Sequence, residues 1–270
     1  LNDALPITFA QEFSGYLSGI RRQRQRIEHA LNDNWLSLTI GGTAVGTGVG
    51  CLPGYNEVVY RKMRTIIEPE IIPEDNIFDG MQNADSYLYL SGLIKCLAVV
   101  ISKFCYDLKM MGSGPQAGLG EIRLPAVQAG SSIMPGKVNP ALPEMVIQVA
   151  QQICGNDLTI TMGVEKGELD LNISDQILLK SLLDSITLLT KSLPILTRHC
   201  IEGIEINAEK TRKDAEHTTA LVTMVSVIYG YKKALKTPLD SISRKIPVKQ
   251  AAVKSGEFTA CLLYTSDAAD

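Results

Sequence analysis

The strongest constraint on the fold is a series of long apolar segments with helical periodicity. In residues 79–111, apolar side chains at Leu88, Leu90, Ile94 and Leu97 cannot share one narrow stripe of a helix. A helix that is apolar on several sides packs among other helices. We therefore predict an all-α fold, a bundle of long helices, in which self-association covers the remaining apolar surface.

Helical patterns also occur on both sides of this segment. One spans 11–32, one follows Pro143, one begins near Ser174 as N-cap, and one covers 208–235. Pro194 is expected to kink or end the helix that begins at Ser174. Strand signals are weak throughout.

The predicted domain organisation follows these patterns. We expect a partial central helical bundle over residues 1–205 and a small, partial carboxy-terminal helical domain over 206–259. Because the chain begins with Leu1 and not with Met, we interpret it as part of a longer subunit.

Composition excludes several classes of protein. The net charge of −3 gives no reason to expect a nucleic-acid or membrane partner. The longest apolar run, Leu97–Ser102, is too short to span a bilayer. Six cysteines without a C-x-x-C pair and three histidines argue against a zinc cluster or a disulfide framework. We expect reduced thiols, no bound metal and a cytoplasmic location.

Three breaks rich in glycine or proline interrupt the helices, at 41–55, 112–125 and 129–143. The first break resembles a dinucleotide-binding loop, but Cys51 stands where that fingerprint needs its third glycine. A glycine-rich connection where backbones approach closely is the preferred interpretation. Functional residues are concentrated on such loops when a rigid scaffold holds them.

The third break carries the chemically useful side chains. It is not a phosphate-binding P-loop, because five residues separate Gly130 from Gly136 and Val138 follows Lys137. Its hydroxyls, lysine and amide belong to Ser131, Ser132, Lys137 and Asn139. From composition alone, a structural loop of small residues remains the alternative, since a serine needs help from its surroundings to act as a base.

Taken as a whole, the segment Gly130-Ser-Ser-Ile-Met-Pro-Gly-Lys-Val-Asn-Pro140 resembles the signature of the aspartase/fumarase superfamily. Shorter stretches at 41–48, 113–115, 155–157 and 228–231 also look familial, so that the resemblance covers about residues 1–259. The resemblance implies that the amino-terminal domain of the subunit is lacking here, and that residues 260–270 are an unmatched tail, a candidate sequence artefact. It implies a homotetramer of long helices, with each active site built from three subunits. The implied reaction is a reversible elimination that yields fumarate or a similar product from a small dicarboxylate, without metal or organic cofactor.

The resemblance also implies a role for each site residue. Ser131 resembles the catalytic base, which removes a proton next to a carboxylate and leads to an aci-carboxylate intermediate. Such a serine must act as an alkoxide, which backbone N–H groups can stabilise. Lys137 and Asn139 resemble groups that bind the substrate carboxylates, and Ser132 helps to hold the second carboxylate. Glu144 resembles the acid that orients a histidine of another subunit, which this chain does not contain.

Two activities are compatible with the resemblance. Residues 81–85, 128–129 and 143–144 look more like aspartate ammonia-lyases than fumarate hydratases, whereas Gln116 and 170–175 match neither closely. We expect a carbon–nitrogen lyase that acts on L-aspartate, although this fragment alone is expected to lack a complete site. The alternatives are a fumarate hydratase and an inactive helical scaffold.

Overall fold

The computed structural model describes residues 3–32, 37–67 and 71–255, and it confirms the predicted all-α fold. The helices are α1 (Phe9–Asn32), α2 (Tyr55–Met63), α3 (Ile77–Gln82), α4 (Asp85–Met111), α5 (Ala141–Val164), α6 (Asp175–His199), α7 (Ala208–His217), α8 (Val222–Tyr229), α9 (Tyr231–Ala234), α10 (Lys236–Arg244) and α11 (Val248–Lys254). Short 3₁₀ turns occur at Ile201–Gly203 and Thr219–Leu221. The predicted tail at 260–270 lies outside the described residues.

The strands of the described residues are only two residues long. β1 (Ser37–Leu38) pairs in parallel with β2 (Ile72–Pro73), and β3 (Ile122–Arg123) pairs antiparallel with β4 (Glu205–Ile206). Pairs this short join neighbouring loops and do not form a layer of the fold.

Helices α4, α5 and α6 pack together and form the core of the bundle. Their fully buried side chains include Ala98, Ile153, Ile160 and Leu178. A second cluster in the same bundle comprises Ile101, Cys105, Val146, Ile147, Leu196 and Cys200. Full burial of one such aliphatic side chain stabilises a protein by about 1.5–3 kcal/mol, so these three helices hold the scaffold of the site.

A buried polar cluster crosses from α4 to α5. The carboxylate of Asp157 on α5 is almost fully buried and accepts a hydrogen bond from Ser91 Oγ at 2.7 Å. Its other oxygen is paired with the ammonium of Lys95. A buried carboxylate is tolerated only with such partners, so this cluster fixes how the two helices align along their length.

Two predicted helix limits were wrong. The predicted single segment over 79–111 is divided into α3 and α4, because Asn83 adopts an extended conformation between them. Asn favours helix ends, since its side chain competes with the helical backbone for hydrogen bonds. The third helix begins at Ala141 and therefore includes Pro143 in its first turn, where a missing N–H costs nothing.

The sequence predicted that Pro194 would kink or end this helix, and the predicted end at Pro194 is wrong. The helix continues to His199 through Pro194. Because Pro194 has no N–H, the carbonyl of Thr190 loses its usual helical hydrogen bond. Both residues are exposed, so water can donate to that carbonyl instead. The buried Leu189 and Leu196 on either side keep α6 packed on the bundle.

The chain divides into two compact units. One comprises Gly15–Met111 and Leu124–Ile204, and it contains the α4–α6 bundle. The other comprises the described parts of Leu1–Ser14, Gly112–Arg123 and Glu205–Asp270. The assignment of 1–205 and 206–259 as separate domains stays a prediction.

The second unit holds the short carboxy-terminal helices. The predicted helical segment 208–235 is broken at Thr218 and again at Gly230, whose φ of +86° favours glycine. Within this unit the carboxylate of Asp3 accepts hydrogen bonds from the Thr219 amide at 2.8 Å and hydroxyl at 2.6 Å. These bonds lower the pKa of Asp3.

Helix α4 has the length and apolar composition of a membrane span. Core helices of soluble proteins have the same properties, and α4 packs against α5 and α6 with Ala98, Cys105 and Leu108 fully buried. Its composition is therefore weak evidence for a membrane segment.

Candidate functional site

The predicted signature segment is a loop between β3 and α5, in the same unit as the bundle. Pro140 is the N-cap of α5, so the loop leads directly into a core helix. Most of its side chains are exposed, with Ile133 at 87% and Met134 at 52%. The loop is therefore held by hydrogen bonds and turns more than by buried apolar surface.

Ser131 lies at the centre of this hydrogen bonding. Its Oγ accepts hydrogen bonds from the backbone amides of Ile133 at 3.1 Å and Met134 at 3.0 Å. Donors that point at a hydroxyl oxygen favour its charged form, since they stabilise an alkoxide more than a neutral hydroxyl. Two aligned amides thus supply the support that an isolated serine lacks.

The next residues form a tight turn. Pro135 and Gly136 occupy its central positions, Gly136 has a φ of +78°, and the Lys137 amide donates to the Met134 carbonyl at 3.2 Å. This is the type II pattern, in which the second central residue favours glycine. The turn leaves the side chain of Lys137 exposed, close in sequence to the exposed Ser132.

The two ends of the loop meet. The Asn139 side-chain amide donates a hydrogen bond to the Gly130 carbonyl at 2.6 Å. A Cβ atom on Gly130 would lie 1.9 Å from the Lys137 carbonyl oxygen and 3.0 Å from the Val138 Cα. Position 130 therefore admits only glycine in this conformation, because any side chain would separate the two backbone segments.

Glu144 lies in the first turn of α5, where a carboxylate interacts favourably with the helix dipole. Its carboxylate forms an ion pair with Lys109 Nζ near the end of α4 at 3.1 Å. Both side chains are partly exposed. The predicted contact with a histidine of another subunit stays a prediction.

The first glycine-rich break forms a concave surface. Residues between Gly41 and Glu57, together with Ile77, line a cavity of about 310 Å³. A Cβ on Gly46 would lie 3.0 Å from the Phe78 amide nitrogen, which confirms the predicted close approach of backbones. The adjacent β1–β2 pair has only two residues in each strand and is not the βαβ unit that a dinucleotide site requires.

The buried cysteines have the environment of structural thiols. Burial, with a smaller effect of the neighbouring Cys200, raises the pKa of Cys105 to about 12. Burial raises the pKa of Cys200 to about 11. Thiols this difficult to ionise are poor nucleophiles. Across residues 3–32, 37–67 and 71–255, no group of three or more His, Cys, Asp or Glu is arranged to hold a metal ion.

The structure thus brings together part of the predicted site. Ser131 and Asn139 belong to one hydrogen-bonded loop, while Ser132 and Lys137 lie exposed on the same loop. Sequence reasoning missed the Asn139–Gly130 bond and the pairing of Glu144 with Lys109. Glycine at position 130 was a signal for the first, whereas nothing in the sequence relates positions 109 and 144.

Comparison with known proteins identifies the class. A family model described as Lyase matches residues 1–155, more than half of the chain. The chain therefore belongs to this lyase family, within the aspartase/fumarase superfamily.

Relatives of two activities are similar to the chain. The aspartate ammonia-lyase of Pseudomonas canavaninivorans is 39% identical over 236 residues, which cover 87% of this chain and 50% of the relative. The aspartate ammonia-lyase of Bacillus subtilis is 38% identical over 96% of this chain and 54% of the relative. A class II fumarate hydratase of Thermosynechococcus vestitus is 38% identical over 96% of this chain and 56% of the relative.

Solved structures agree with this class. A fumarate lyase:delta crystallin from Brucella melitensis, bound to cobalt, has a TM-score of 0.90 and 37% identity, covering 97% of this chain and 57% of that chain. A recombinant class II fumarase from Schistosoma mansoni has a TM-score of 0.83 and 31% identity, covering 96% and 57%. The chain spans about half the length of the curated relatives it matches.

Proposed function

We propose that the protein containing this chain is a carbon–nitrogen lyase that eliminates ammonia from L-aspartate to give fumarate. The observation that carries the proposal is the pair of amides, from Ile133 and Met134, that donate to Ser131 Oγ. The similarity to aspartate ammonia-lyases supports the choice of substrate.

In the proposed reaction, Ser131 acts as an alkoxide base. It removes a proton from the substrate carbon next to the side-chain carboxylate, and the C–H electron pair moves into that carboxylate as an aci-carboxylate. When the electrons return, they form the carbon–carbon double bond and the adjacent C–N bond breaks. Ammonia leaves with the C–N electrons, and the proton held by Ser131 passes to solvent.

The other loop residues would bind the substrate. The exposed ammonium of Lys137 would meet the carboxylate on which charge develops, where a cation stabilises the transition state. The Ser132 hydroxyl and the Asn139 side chain would hold carboxylate oxygens. Glu144 would orient a histidine of another subunit in a homotetramer, and no cofactor takes part.

Elimination of water from L-malate is the second candidate. The class II fumarate hydratase similar to this chain covers as much of it as the Bacillus subtilis aspartate ammonia-lyase does, at the same identity. The base and the aci-carboxylate would be the same, and only the leaving group differs. Groups that recognise an ammonium or a hydroxyl would then decide between the two substrates.

The test is an ultraviolet assay for fumarate formation by the full-length protein that contains this chain. L-Aspartate and L-malate are supplied in separate reactions at equal concentrations. Turnover of aspartate well above that of malate supports the proposal, and the reverse order supports a fumarate hydratase. Absence of fumarate from both substrates in a folded protein refutes both activities and leaves the scaffold interpretation.

A further inference from the structure

The loop from Gly130 to Asn139 is closed at its base by one side-chain hydrogen bond. Asn139 Nδ2 donates to the Gly130 carbonyl at 2.6 Å, a short distance for an amide donor. Beside it, the backbone of Gly130 lies against the Lys137 carbonyl, so closely that a Cβ would lie 1.9 Å from that oxygen. We call the closed segment 130–139 the ring, and we call the Asn139–Gly130 hydrogen bond its fastening.

Inside the loop, the hydrogen bonds join residues that are two or three positions apart. Ser131 Oγ accepts hydrogen bonds from the Ile133 and Met134 amides. In the following turn, the Lys137 amide donates to the Met134 carbonyl. Ile133 and Met134 are exposed, so little apolar burial compensates for the entropy of ordering these residues. Loss of the Asn139–Gly130 hydrogen bond is therefore expected to increase the conformational freedom of residues 131–134, which include the two amides.

We propose that Asn139 is a positioning residue, whose side-chain amide closes the ring and thereby keeps two backbone amides aimed at Ser131 Oγ. This goes beyond carboxylate binding by Asn139, and its catalytic consequence rests on the proposed function of Ser131. Gly130 is also needed for this closure. Its carbonyl can approach the Asn139 side chain only while position 130 lacks a side chain.

The structural test uses this chain as it is. Water-exchange NMR measures how fast the Ile133 and Met134 amides exchange with solvent, with Ser131→Ala as the reference that removes their acceptor. Asn139→Ala should accelerate both amides by about three- to tenfold, the effect of losing one ordinary hydrogen bond. Gly130→Ala, which opens the ring without touching Asn139, should do the same.

Two controls make the exchange result specific. Ser132→Ala, in the same loop but outside the fastening, should leave both amides at wild-type rates. Amides of α4 and α5 should be unchanged in every variant, which shows that the bundle stays folded. Wild-type exchange at Ile133 and Met134 in both Asn139→Ala and Gly130→Ala would overturn the proposal.

The kinetic test uses the full-length protein. Asn139→Ala and Gly130→Ala should each lower kcat with a smaller change in KM, and the double variant should be about as impaired as the worse single variant, because both open one ring. A residue that only binds substrate would mainly raise KM, and its effect would add to that of Gly130→Ala. If the wild-type protein shows no turnover, the proposed function is refuted, but the exchange result still tests the Asn139–Gly130 bond. If the wild-type protein turns over and the effects of Asn139→Ala and Gly130→Ala on kcat are additive, only the proposed role of that bond is refuted.

Discussion

At the scale of single residues, Ser131 differs from an ordinary exposed serine in the direction of its hydrogen bonds. Its Oγ is an acceptor for two amides of its own loop, so the donors come from the backbone next to the serine itself. Preorganised donors of this kind need no rearrangement when charge develops. Ser131 as a whole residue is half-buried, while most of the loop around it is exposed.

Ser131→Ala in the full-length protein should abolish turnover while substrate binding is largely kept. A base acts on the proton in the transition state and typically contributes about 10²–10⁴-fold in rate, so kcat should fall far more than KM rises. Steady-state kinetics of fumarate formation measure both constants. Retention of more than about a tenth of wild-type kcat would assign the proton to another group.

Lys137→Ala is the matched comparison on the same loop. Its cation is expected to meet a substrate carboxylate both before and during the reaction, so kcat should fall and KM should rise together. A change in KM alone would restrict Lys137 to substrate binding. The contrast with Ser131→Ala separates the base from the electrostatic partner in one set of assays.

Glu121 gives a prediction about pH and stability. Burial raises its pKa above the ordinary 4.5, Glu12 adds to the effect and Lys210 opposes it. An acid whose folded-state pKa is raised costs nothing below its unfolded pKa, and it destabilises the fold as the pH rises through the folded pKa. Glu121→Gln should therefore raise Tm near neutrality and have little effect below pH 4.5.

Thermal unfolding of this chain at the two pH values measures the effect. Glu216→Gln, at an exposed position of α7, removes the same charge and controls for net charge. An equal rise of Tm in both variants would show that net charge, and not the burial of Glu121, is responsible.

At the scale of elements, α6 shows how packing decides which of two adjacent leucines matters. Leu178 is completely buried against α4 and α5, whereas Leu179 is 47% exposed. Both occupy the first turns of the same helix, with the same composition around them. Only their direction from the helix axis differs.

Leu178→Ala should lower the free energy of unfolding by about 2–5 kcal/mol, because it leaves a cavity in the core. Leu179→Ala should lower it by less than about 1 kcal/mol, as is usual away from the core. Urea unfolding of this chain at low protein concentration measures both. Equal effects would mean that α6 is rotated about its axis, so that Leu178 and Leu179 are buried to the same extent.

Prediction of elements succeeded where one property dominated and failed where two competed. The apolar periodicity of α4 and α5 was sufficient to predict long buried helices. At Pro194, the low helix propensity of proline favours a helix end, whereas burial of Leu189 and Leu196 favours a continuous helix. The helix continues to His199, so burial has the larger effect. At Asn83, the largely polar stretch 82–86 separates α3 from the apolar pattern of α4, and the residue is extended.

At the scale of the whole molecule, the bundle helices carry large apolar side chains that the chain itself leaves exposed. On α5, Leu158 is 60% and Met162 is 55% exposed, one helical turn apart. Further examples on α4 and α6 are Val99, Tyr106, Leu183 and Ile195. Extensive exposed apolar surface marks an interaction site, which is consistent with the expected homotetramer.

We expect this chain to self-associate, and the combined substitution of Leu158→Glu and Met162→Glu to shift it to smaller species. Introduced carboxylates would have to be buried without partners in the interface. Sedimentation velocity at micromolar concentration measures the distribution of species. Gln250→Glu, at an exposed polar position of α11, should leave the distribution unchanged, and a monomeric wild-type chain would contradict the expectation.

By itself, the sequence determined the helical class, the position of the loop and the residue types that carry its chemistry. These properties follow from local periodicity and from an eleven-residue motif that can be read along the chain. Only the tertiary structure decided that Gly130 lies against the Lys137 carbonyl and accepts a hydrogen bond from Asn139. It also decided that Leu178, and not Leu179, faces the core. Those contacts depend on how segments approach one another in space, and residue types along the chain do not specify that approach.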